Sequence, residues 1–404
     1  MPDFTILPPP SLPEGATRPG ELTAAQEEMY AKVLAHFDKA DYRLPGEGKE
    51  KGEEDKEKSE LSEDEKFWLS RECLLRYLRA TKWHVAQAID RVEGTLKWRR
   101  EFGLWDMAPA HVEPECVTGK EIVFGYDTQR RPALYMIPSR QNTTESSRQI
   151  EFAVFMLERA LDLAGPGVES IVLMINFGDR GKSPTFSTSK TVLNILQSHY
   201  PERLGAALII NVPFILNAFF KVISPFIDPV TRTKMKFNPK AVEDGLFTAD
   251  ELFAQGGWGG ARDFEWDHAQ YWPSLLKTCA ELREKHYARW RELGAKVGVS
   301  EWDYKIEGPG AGEAAAVEKP AATEEPAATE EPTATEKPAA EEQTADGQAG
   351  AEAETSVVAA EVPAAAVEAP DAVAEEKGVA EDAPAAATEV QAKGEPAIEA
   401  EKTA

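Results

Sequence analysis

Cysteine is scarce in this chain of 404 residues, which contains only Cys73, Cys116 and Cys279. An odd number of cysteines with no CxxC spacing fits neither a disulfide framework nor a zinc site. We therefore expect no bound metal and a reducing, intracellular environment.

A secretory leader and a long hydrophobic run are also missing. Residues 1–20 are rich in proline and have no basic segment that leads into an apolar one. The longest apolar stretch, 212–227, is interrupted by proline and polar residues and is shorter than the ~20 residues of a spanning helix. The sequence predicts a cytoplasmic protein that does not cross a membrane.

Aromatic residues are absent from residue 311 to the end of the chain. This segment has 23 acidic and 5 basic residues, a net charge of -18, which leaves only -7 of the total -25 for residues 1–310. Such a composition buries too little apolar surface to offset the loss of chain entropy. We expect residues 308–404 to form a disordered acidic tail, and a role for it in docking partner proteins stays open.

Motifs of catalysis and of nucleic-acid binding are not found. The sequence has no GxSxG or HExxH motif, and its six histidines are scattered. Gly181-Lys182-Ser183 resembles part of a phosphate-binding loop, but Asn176 stands where that loop needs glycine and Pro184 follows where helix amides should be free. No basic stripe with interleaved aromatic residues indicates a nucleic-acid partner. We expect no enzyme activity and no cofactor.

The first third of the chain has the patterns of helices. Thr23 followed by Gln26 is a capping box, which predicts a helix to about Phe37. Residues 47–66 are dense in Glu and Lys and are interpreted as a solvated linker or insertion. Apolar residues then recur at helical spacing within 67–110, at Leu74, Leu75, Leu78, Val85, Ile89, Val92 and Leu96.

Beyond residue 110 the hydrophobic period becomes that of strands. Four runs have this character: 121–126, 131–137, 171–177 and 207–212. The last two are apolar on both sides, as in central strands, and helical patterns stand between them and before them. Alternating strands and helices predict an α/β fold with right-handed crossovers.

The most specific pattern lies between His199 and Lys236. It consists of Tyr200-Pro201-Glu202-Arg203 before a strand, Asn211-Val212-Pro213 after it, and Pro225-Phe226-Ile227-Asp228-Pro229-Val230-Thr231 further on. In this order the motifs resemble the CRAL-TRIO family of lipid-binding proteins. Within it, segments 71–83, 98–103 and 140–143 resemble the fungal phosphatidylinositol transfer proteins of the pleiotropic-drug-resistance branch.

The resemblance, which covers about residues 65–286, implies a two-lobed α/β fold. An all-helical N-terminal lobe precedes a CRAL-TRIO lobe whose mostly parallel sheet forms a lipid pocket under a gate helix. The expected division is an N-terminal extension with one helix and a charged linker (1–60), a helical domain (61–110), the lipid-binding domain (111–275), a C-terminal helical extension (276–307) and the tail (308–404).

The segment 214–227 is apolar nearly all round, which indicates burial on every side or occasional contact with lipid. An ordinary core helix is one interpretation. The resemblance implies instead that it is the gate helix, whose apolar side chains enter a membrane surface while the lipid exchanges. Those side chains are Phe214, Phe219, Phe220, Ile223 and Phe226.

The resemblance also implies which residues hold the headgroup of phosphatidylinositol. Glu202, Thr231 and Lys234 match positions that contact the inositol phosphate in the family, and Arg203 adjoins Glu202. A cation is needed for the phosphodiester and hydrogen-bonding groups for the inositol hydroxyls.

Two departures from the family pattern affect the expected ligands. Thr81 stands where the family commonly has an arginine, so Arg79 or Lys82 is expected to supply that contact. Ile171 and Leu173 replace hydroxyl residues on the pocket floor of members that also carry phosphatidylcholine. An apolar floor suits a sterol as the second ligand.

The function predicted from the sequence is the non-catalytic transfer of phosphatidylinositol between membranes. The protein would meet membrane surfaces transiently, at internal membranes or lipid droplets. The alternative is a lipid-sensing adaptor that presents phosphatidylinositol to partner enzymes through its acidic tail. Truncation after Tyr304 would separate the two, because transfer should survive the loss of the tail.

Overall fold

The computed structural model describes residues 6–44, 59–178, 186–213 and 229–306. The predicted gate segment, the Gly181-Lys182-Ser183 motif and the predicted tail lie outside the described residues. The chain divides into two units, 1–321 and 322–404, and all described residues belong to the first.

Side-chain caps begin three of the four helices of the N-terminal region, at Thr23, Ser62 and Ser70. The first helix follows Thr23, whose hydroxyl accepts from the Gln26 amide while the Gln26 side chain accepts from the Thr23 amide, so the predicted capping box is confirmed. The helices are α1 (Ala24–Phe37), α2 (Glu63–Trp68), α3 (Arg71–Ala80) and α4 (Val85–Glu101). They enclose a core in which Val33, Leu74, Leu78, Val92 and Leu96 are completely buried.

The interpretation of residues 47–66 as a solvated linker was wrong at its C-terminal end. Ser62 and Glu65 form a second capping box, which starts α2 inside that stretch. The carboxylate of Glu65 is buried and accepts from Arg100 at 2.5 and 2.7 Å. A stretch rich in charges therefore contributes an ordered helix, because one of its carboxylates is buried and paired with Arg100.

Within the described residues, five strands form one sheet in the order β1-β2-β3-β4-β5. The strands are β1 (Glu121–Tyr126), β2 (Pro132–Met136), β3 (Ile171–Asn176), β4 (Leu204–Ile210) and β5 (Met235–Phe237). The pair β1 and β2 is antiparallel, and every other neighbouring pair is parallel. The predicted α/β class with a mostly parallel sheet is confirmed.

Further helices connect and flank these strands. They are α5 (Pro109–Cys116), α6 (Ser147–Asp162), α7 (Phe186–His199), α8 (Pro229–Thr233), α9 (His268–Glu292) and α10 (Glu301–Lys305). The helix α9 runs across the domain boundary predicted between residues 275 and 276. No helix among the described residues is long and apolar enough to span a membrane.

The strand β4 differs from its prediction at both ends. It begins at Leu204 rather than Ala207, because Leu204 pairs with Ile171 of β3 and the small Gly205 accommodates the Arg131 side chain. It ends at Ile210 rather than residue 212, because Asn211 has a φ of 54°, which an extended strand does not allow. The short β5 was not predicted, since three residues carry too little periodicity.

Candidate headgroup site

The site begins at the amino end of β4, where Glu202 occupies the left-handed region with a φ of 57°. Its exposed carboxylate accepts from Arg79 Nε at 2.5 Å, and Arg79 lies in the last turn of α3. The helical lobe thus presents a guanidinium to one of the predicted headgroup residues.

Lys234 brings a second cation to the same end of β4. Its Nζ donates to the carbonyl oxygen of Leu204 at 2.6 Å, two residues after Glu202. The short helix α8 ends just before it, and the Lys234 amide donates to the Thr231 carbonyl oxygen at 3.1 Å. Thr231 and Lys234 therefore belong to one turn, as expected for residues three apart in a helical turn.

Glu169 is a member of this group that sequence reasoning missed. It accepts from Arg79 at 3.1 Å and from the buried Arg76 at 2.8 Å. Burial opposes its ionisation, but Arg76 and Arg79 outweigh burial and hold the pKa of Glu169 below its ordinary value. No spacing in the sequence links Glu169 to α3, so only the tertiary fold identifies it.

Thr81, which stands where the family commonly has an arginine, and its neighbour Lys82 have different surroundings. The hydroxyl of Thr81 donates to the carbonyl oxygens of Tyr77 and Leu78 at 2.9 and 3.2 Å, so it completes the end of α3. Lys82 is exposed, with a φ of 52°. Of the two cations predicted to compensate, Arg79 is the one that contacts Glu202.

Arg203 points away from Lys234. Its Nη1 donates to the carbonyl oxygen of Glu169, which precedes β3, whereas Lys234 lies on the β5 side of β4. The structure therefore places the Arg203 side chain on the β3 side of β4, with Glu169 and the buried Arg76.

The predicted floor residues lie on one face of β3. Leu173 pairs with Leu134 of β2 and Ala207 of β4, and it is only partly buried. Ile171, at the amino end of the strand, is 2% exposed. Because side chains alternate along a strand, Val172 and Met174 face the other side of the sheet, where both are fully buried.

The assembled group can bind a phosphorylated, hydroxyl-rich ligand. Arg79 and Lys234 supply cations, and Glu202 supplies an acceptor for hydroxyl donors. The side chains of Arg79 and Glu202 are 32% and 36% exposed, so solvent and a ligand can reach both.

Comparison with known proteins identifies the family. The profile of the CRAL/TRIO domain matches residues 117–249, and that of the CRAL/TRIO N-terminal domain matches residues 29–94. The phosphatidylinositol transfer protein PDR17 of Saccharomyces cerevisiae is 38% identical over 321 residues, which are 75% of this chain and 90% of that protein. The chain belongs to the CRAL/TRIO family.

Two other proteins are similar over different extents. A CRAL-TRIO domain-containing protein of Schizosaccharomyces pombe is 47% identical over 286 residues, or 70% of this chain, but the chain spans only 27% of that longer protein. The crystal structure of Sfh5 aligns over 66% of this chain and 99% of that one, at 16% identity. The TM-score of that alignment is 0.43.

The candidate site draws on both CRAL/TRIO segments. Arg79 lies within the matched N-terminal domain, and Glu202, Thr231 and Lys234 lie within the matched CRAL/TRIO domain. The predicted gate residues Phe214, Phe219, Phe220, Ile223 and Phe226 fall inside the same matched range but outside the described residues.

Proposed function

We propose that this CRAL/TRIO protein binds phosphatidylinositol and transfers it between membranes without catalysing a reaction. The observation that carries the proposal is the arrangement at the amino end of β4, where Arg79 donates to Glu202 at 2.5 Å and Lys234 donates to the Leu204 carbonyl oxygen at 2.6 Å. The proposal also draws on PDR17, which is named a phosphatidylinositol transfer protein and is covered over 90% of its length.

In this proposal the headgroup replaces protein contacts that are present in the described structure. The phosphodiester takes the ammonium of Lys234 in place of the Leu204 carbonyl, because an anion is the stronger acceptor for a cation. The inositol hydroxyls donate to Glu202, and the Thr231 hydroxyl completes the set. Arg79, already paired with Glu202, supplies the charge that the family arginine would supply from the position of Thr81.

The acyl chains lie in this proposal against the face of the sheet that carries Ile171 and Leu173. Because neither side chain can hydrogen-bond a second phospholipid headgroup, we propose a sterol rather than phosphatidylcholine as the exchange partner. The segment 214–227 would cover the pocket and meet the membrane transiently. Internal membranes or lipid droplets are the proposed sites of action, and nucleic acid is not a proposed partner.

A vesicle assay tests the proposal. Donor vesicles carry fluorescent phosphatidylinositol, phosphatidylcholine or sterol, and the rate of arrival in acceptor vesicles is measured. Phosphatidylinositol transfer should depend on the protein and be strongly reduced in Lys234→Met, whereas Lys236→Met, an exposed lysine two residues away, should leave it unchanged. Transfer of phosphatidylcholine alone would refute the proposal.

Removal of the acidic tail distinguishes the transfer function from the adaptor function. The cut belongs after Ile306 rather than Tyr304, because Lys305 pairs with Glu301 at 3.0 Å and a shorter chain would lose that pair. A protein ending at Ile306 should transfer phosphatidylinositol at the full rate. Loss of activity on truncation would favour the adaptor.

A further inference from the structure

Glu169 lies directly before β3, and the sheet holds its backbone in place. The amide of Ile171, two residues later, donates to the Arg203 carbonyl oxygen at 2.9 Å, and Arg203 Nη1 donates to the carbonyl oxygen of Glu169 at 2.8 Å. Val168, on the other side of Glu169, is only 6% exposed. The pairing of β3 with β4 therefore fixes the point from which the Glu169 carboxylate extends.

One oxygen of the Glu169 carboxylate accepts from two guanidinium groups of α3. This oxygen, Oε2, accepts from Arg76 Nη1 at 2.8 Å and from Arg79 Nη2 at 3.1 Å. The two arginines differ in exposure, since the Arg76 side chain is 3% exposed and the Arg79 side chain is 32% exposed. Glu169 thus connects a buried cation to the cation that the candidate headgroup site presents to solvent.

Arg76 is the anchored end of this connection. Its Nη2 donates to Glu301 Oε1 at 3.0 Å, and the Glu301 carboxylate also accepts from Ser70 at 2.9 Å and from Lys305 at 3.0 Å. Charge-assisted hydrogen bonds that are shielded from water are short and strong, and several of them together restrict the side chains that they join. The Glu169 carboxylate therefore has a rigid partner on the interior side.

Arg79 is a long side chain in the last turn of α3, and its other partner does not anchor it. That partner, Glu202, is itself exposed, and an isolated exposed ion pair holds its side chains only weakly. A side chain that is already ordered loses less rotamer freedom when a ligand binds. The contacts of Arg79 with Glu202 and Glu169 use Nε and Nη2, so Nη1 can still donate to a phosphate.

We infer that Glu169 is a positioning residue of the headgroup site, which holds Arg79 in place for the phosphate of phosphatidylinositol. The inference rests on the proposed function and gives Glu169 a role that acts only through Arg79. A carboxylate that acted by its charge alone would repel the phosphate, so its removal would strengthen binding. Removal of a carboxylate that holds Arg79 weakens binding instead, because the ligand must then order the guanidinium itself.

A double-mutant cycle in the full-length protein tests the inference. Binding of phosphatidylinositol in mixed micelles is measured for the wild type, Glu169→Ala, Arg79→Gln and the double variant. We expect Glu169→Ala to weaken binding by the wild type about threefold to tenfold. It should have no further effect in Arg79→Gln, because a residue that acts through Arg79 has nothing to hold once that guanidinium is gone. Glu28→Ala, which removes a carboxylate from an exposed pair on α1, should leave binding unchanged.

Additive losses in the double variant, or unchanged or tighter binding by Glu169→Ala, would overturn the inference. Thermal unfolding of each variant shows whether it is folded. If Glu169→Ala is not, the cycle is repeated with Glu169→Gln, whose amide oxygen still accepts from the buried Arg76. This variant should weaken binding about threefold, and again only when Arg79 is present. A wild type that binds no phosphatidylinositol would refute the proposed function and this inference with it, whereas additive losses in a protein that binds the lipid refute the inference alone.

Discussion

Arg79 donates to Glu202 at 2.5 Å across 123 residues of sequence, and so joins the end of α3 to the start of β4. Both side chains are about one third exposed, at 32% and 36%. Exposed ion pairs of this kind contribute little to folding stability, at most about 1 kcal/mol. The contact instead positions the two side chains, because it holds a carboxylate and a guanidinium where a headgroup would meet them.

Removal of the Arg79 charge should therefore affect the ligand more than the fold. We expect Arg79→Gln to weaken phosphatidylinositol binding about tenfold and to change the free energy of unfolding by less than about 1 kcal/mol. Lipid binding in mixed micelles and urea denaturation measure the two effects. Lys82→Gln is the matched control and should change neither, and an equal loss of binding in Lys82→Gln would contradict the assignment of Arg79.

Loss of the Lys234 ammonium should weaken headgroup binding selectively. Lys234→Met removes a charge-assisted contact to phosphate, which costs about 1.5 to 3 kcal/mol, or at least about a tenfold rise in Kd. Sterol binding involves no phosphate and should stay unchanged, which a competition assay with a fluorescent sterol measures. A parallel loss of both ligands would indicate damage to the fold rather than to the headgroup site.

The buried pair of Arg99 and Glu158 should matter for stability. Burial opposes ionisation of Glu158, but Arg99 and the Tyr200 hydroxyl outweigh it and lower the pKa of Glu158 to about 2. Arg99→Met leaves this carboxylate without its cation and should reduce the free energy of unfolding by roughly 3 to 5 kcal/mol at neutral pH. The difference should shrink as the pH falls below about 4.5, because Glu158 is then protonated in the unfolded chain and its ionised form no longer adds stability.

The surface pair of Arg289 and Glu292 is the control for that measurement. These side chains are 30% and 64% exposed and lie 2.7 Å apart. Arg289→Met should lower the free energy of unfolding by less than about 1 kcal/mol. If Arg99→Met and Arg289→Met lowered the free energy of unfolding equally, the buried pair of Arg99 and Glu158 would not have the predicted role in stability.

His199 should make stability depend on pH between about 6.5 and 4. It stacks on Trp98 with ring centres 4.2 Å apart, and burial, then Arg91 and Arg99, lowers the pKa of His199 to about 4. In this window the unfolded chain binds a proton that the folded protein does not, so stability falls as the pH falls. The side chain is only partly buried, which reduces the expected contribution to roughly 1 to 2 kcal/mol.

Urea denaturation at several pH values measures this contribution. His199→Gln should have a shallower decline of stability from pH 6.5 to 4 than the wild type, whatever its stability at pH 7. Carboxylates that titrate in the same range affect both proteins and cancel in the difference. Identical slopes for the two proteins would contradict a lowered pKa of His199 in the folded protein.

Local signals predicted much of the fold. The capping box at Thr23 and Gln26 predicted the start of α1, and short apolar runs located β1 and β3. These features depend on neighbours within a few residues, which the sequence displays directly. The start of β4 and the whole of β5 depend on pairing with residues far along the chain, and for that reason the sequence patterns missed them.

The sequence named candidate site residues but not the contacts between them. The family resemblance pointed to Glu202 and Lys234, which the fold brings to the same end of β4. It did not reveal that Glu202 accepts from Arg79, whereas its neighbour Arg203 donates to the Glu169 carbonyl oxygen. Glu169 was missed because its partners lie on α3, about 90 residues earlier.

The lipid that the protein retains tests the central claim most directly. Full-length protein is purified from a eukaryotic host, and its bound lipids are identified and quantified by mass spectrometry. Binding through Arg79, Glu202 and Lys234 predicts phosphatidylinositol at near one molecule per chain in the wild type and its depletion in Lys234→Met, with Lys236→Met unchanged. Phosphatidylcholine as the sole phospholipid, or equal retention of phosphatidylinositol by all three proteins, would contradict the account.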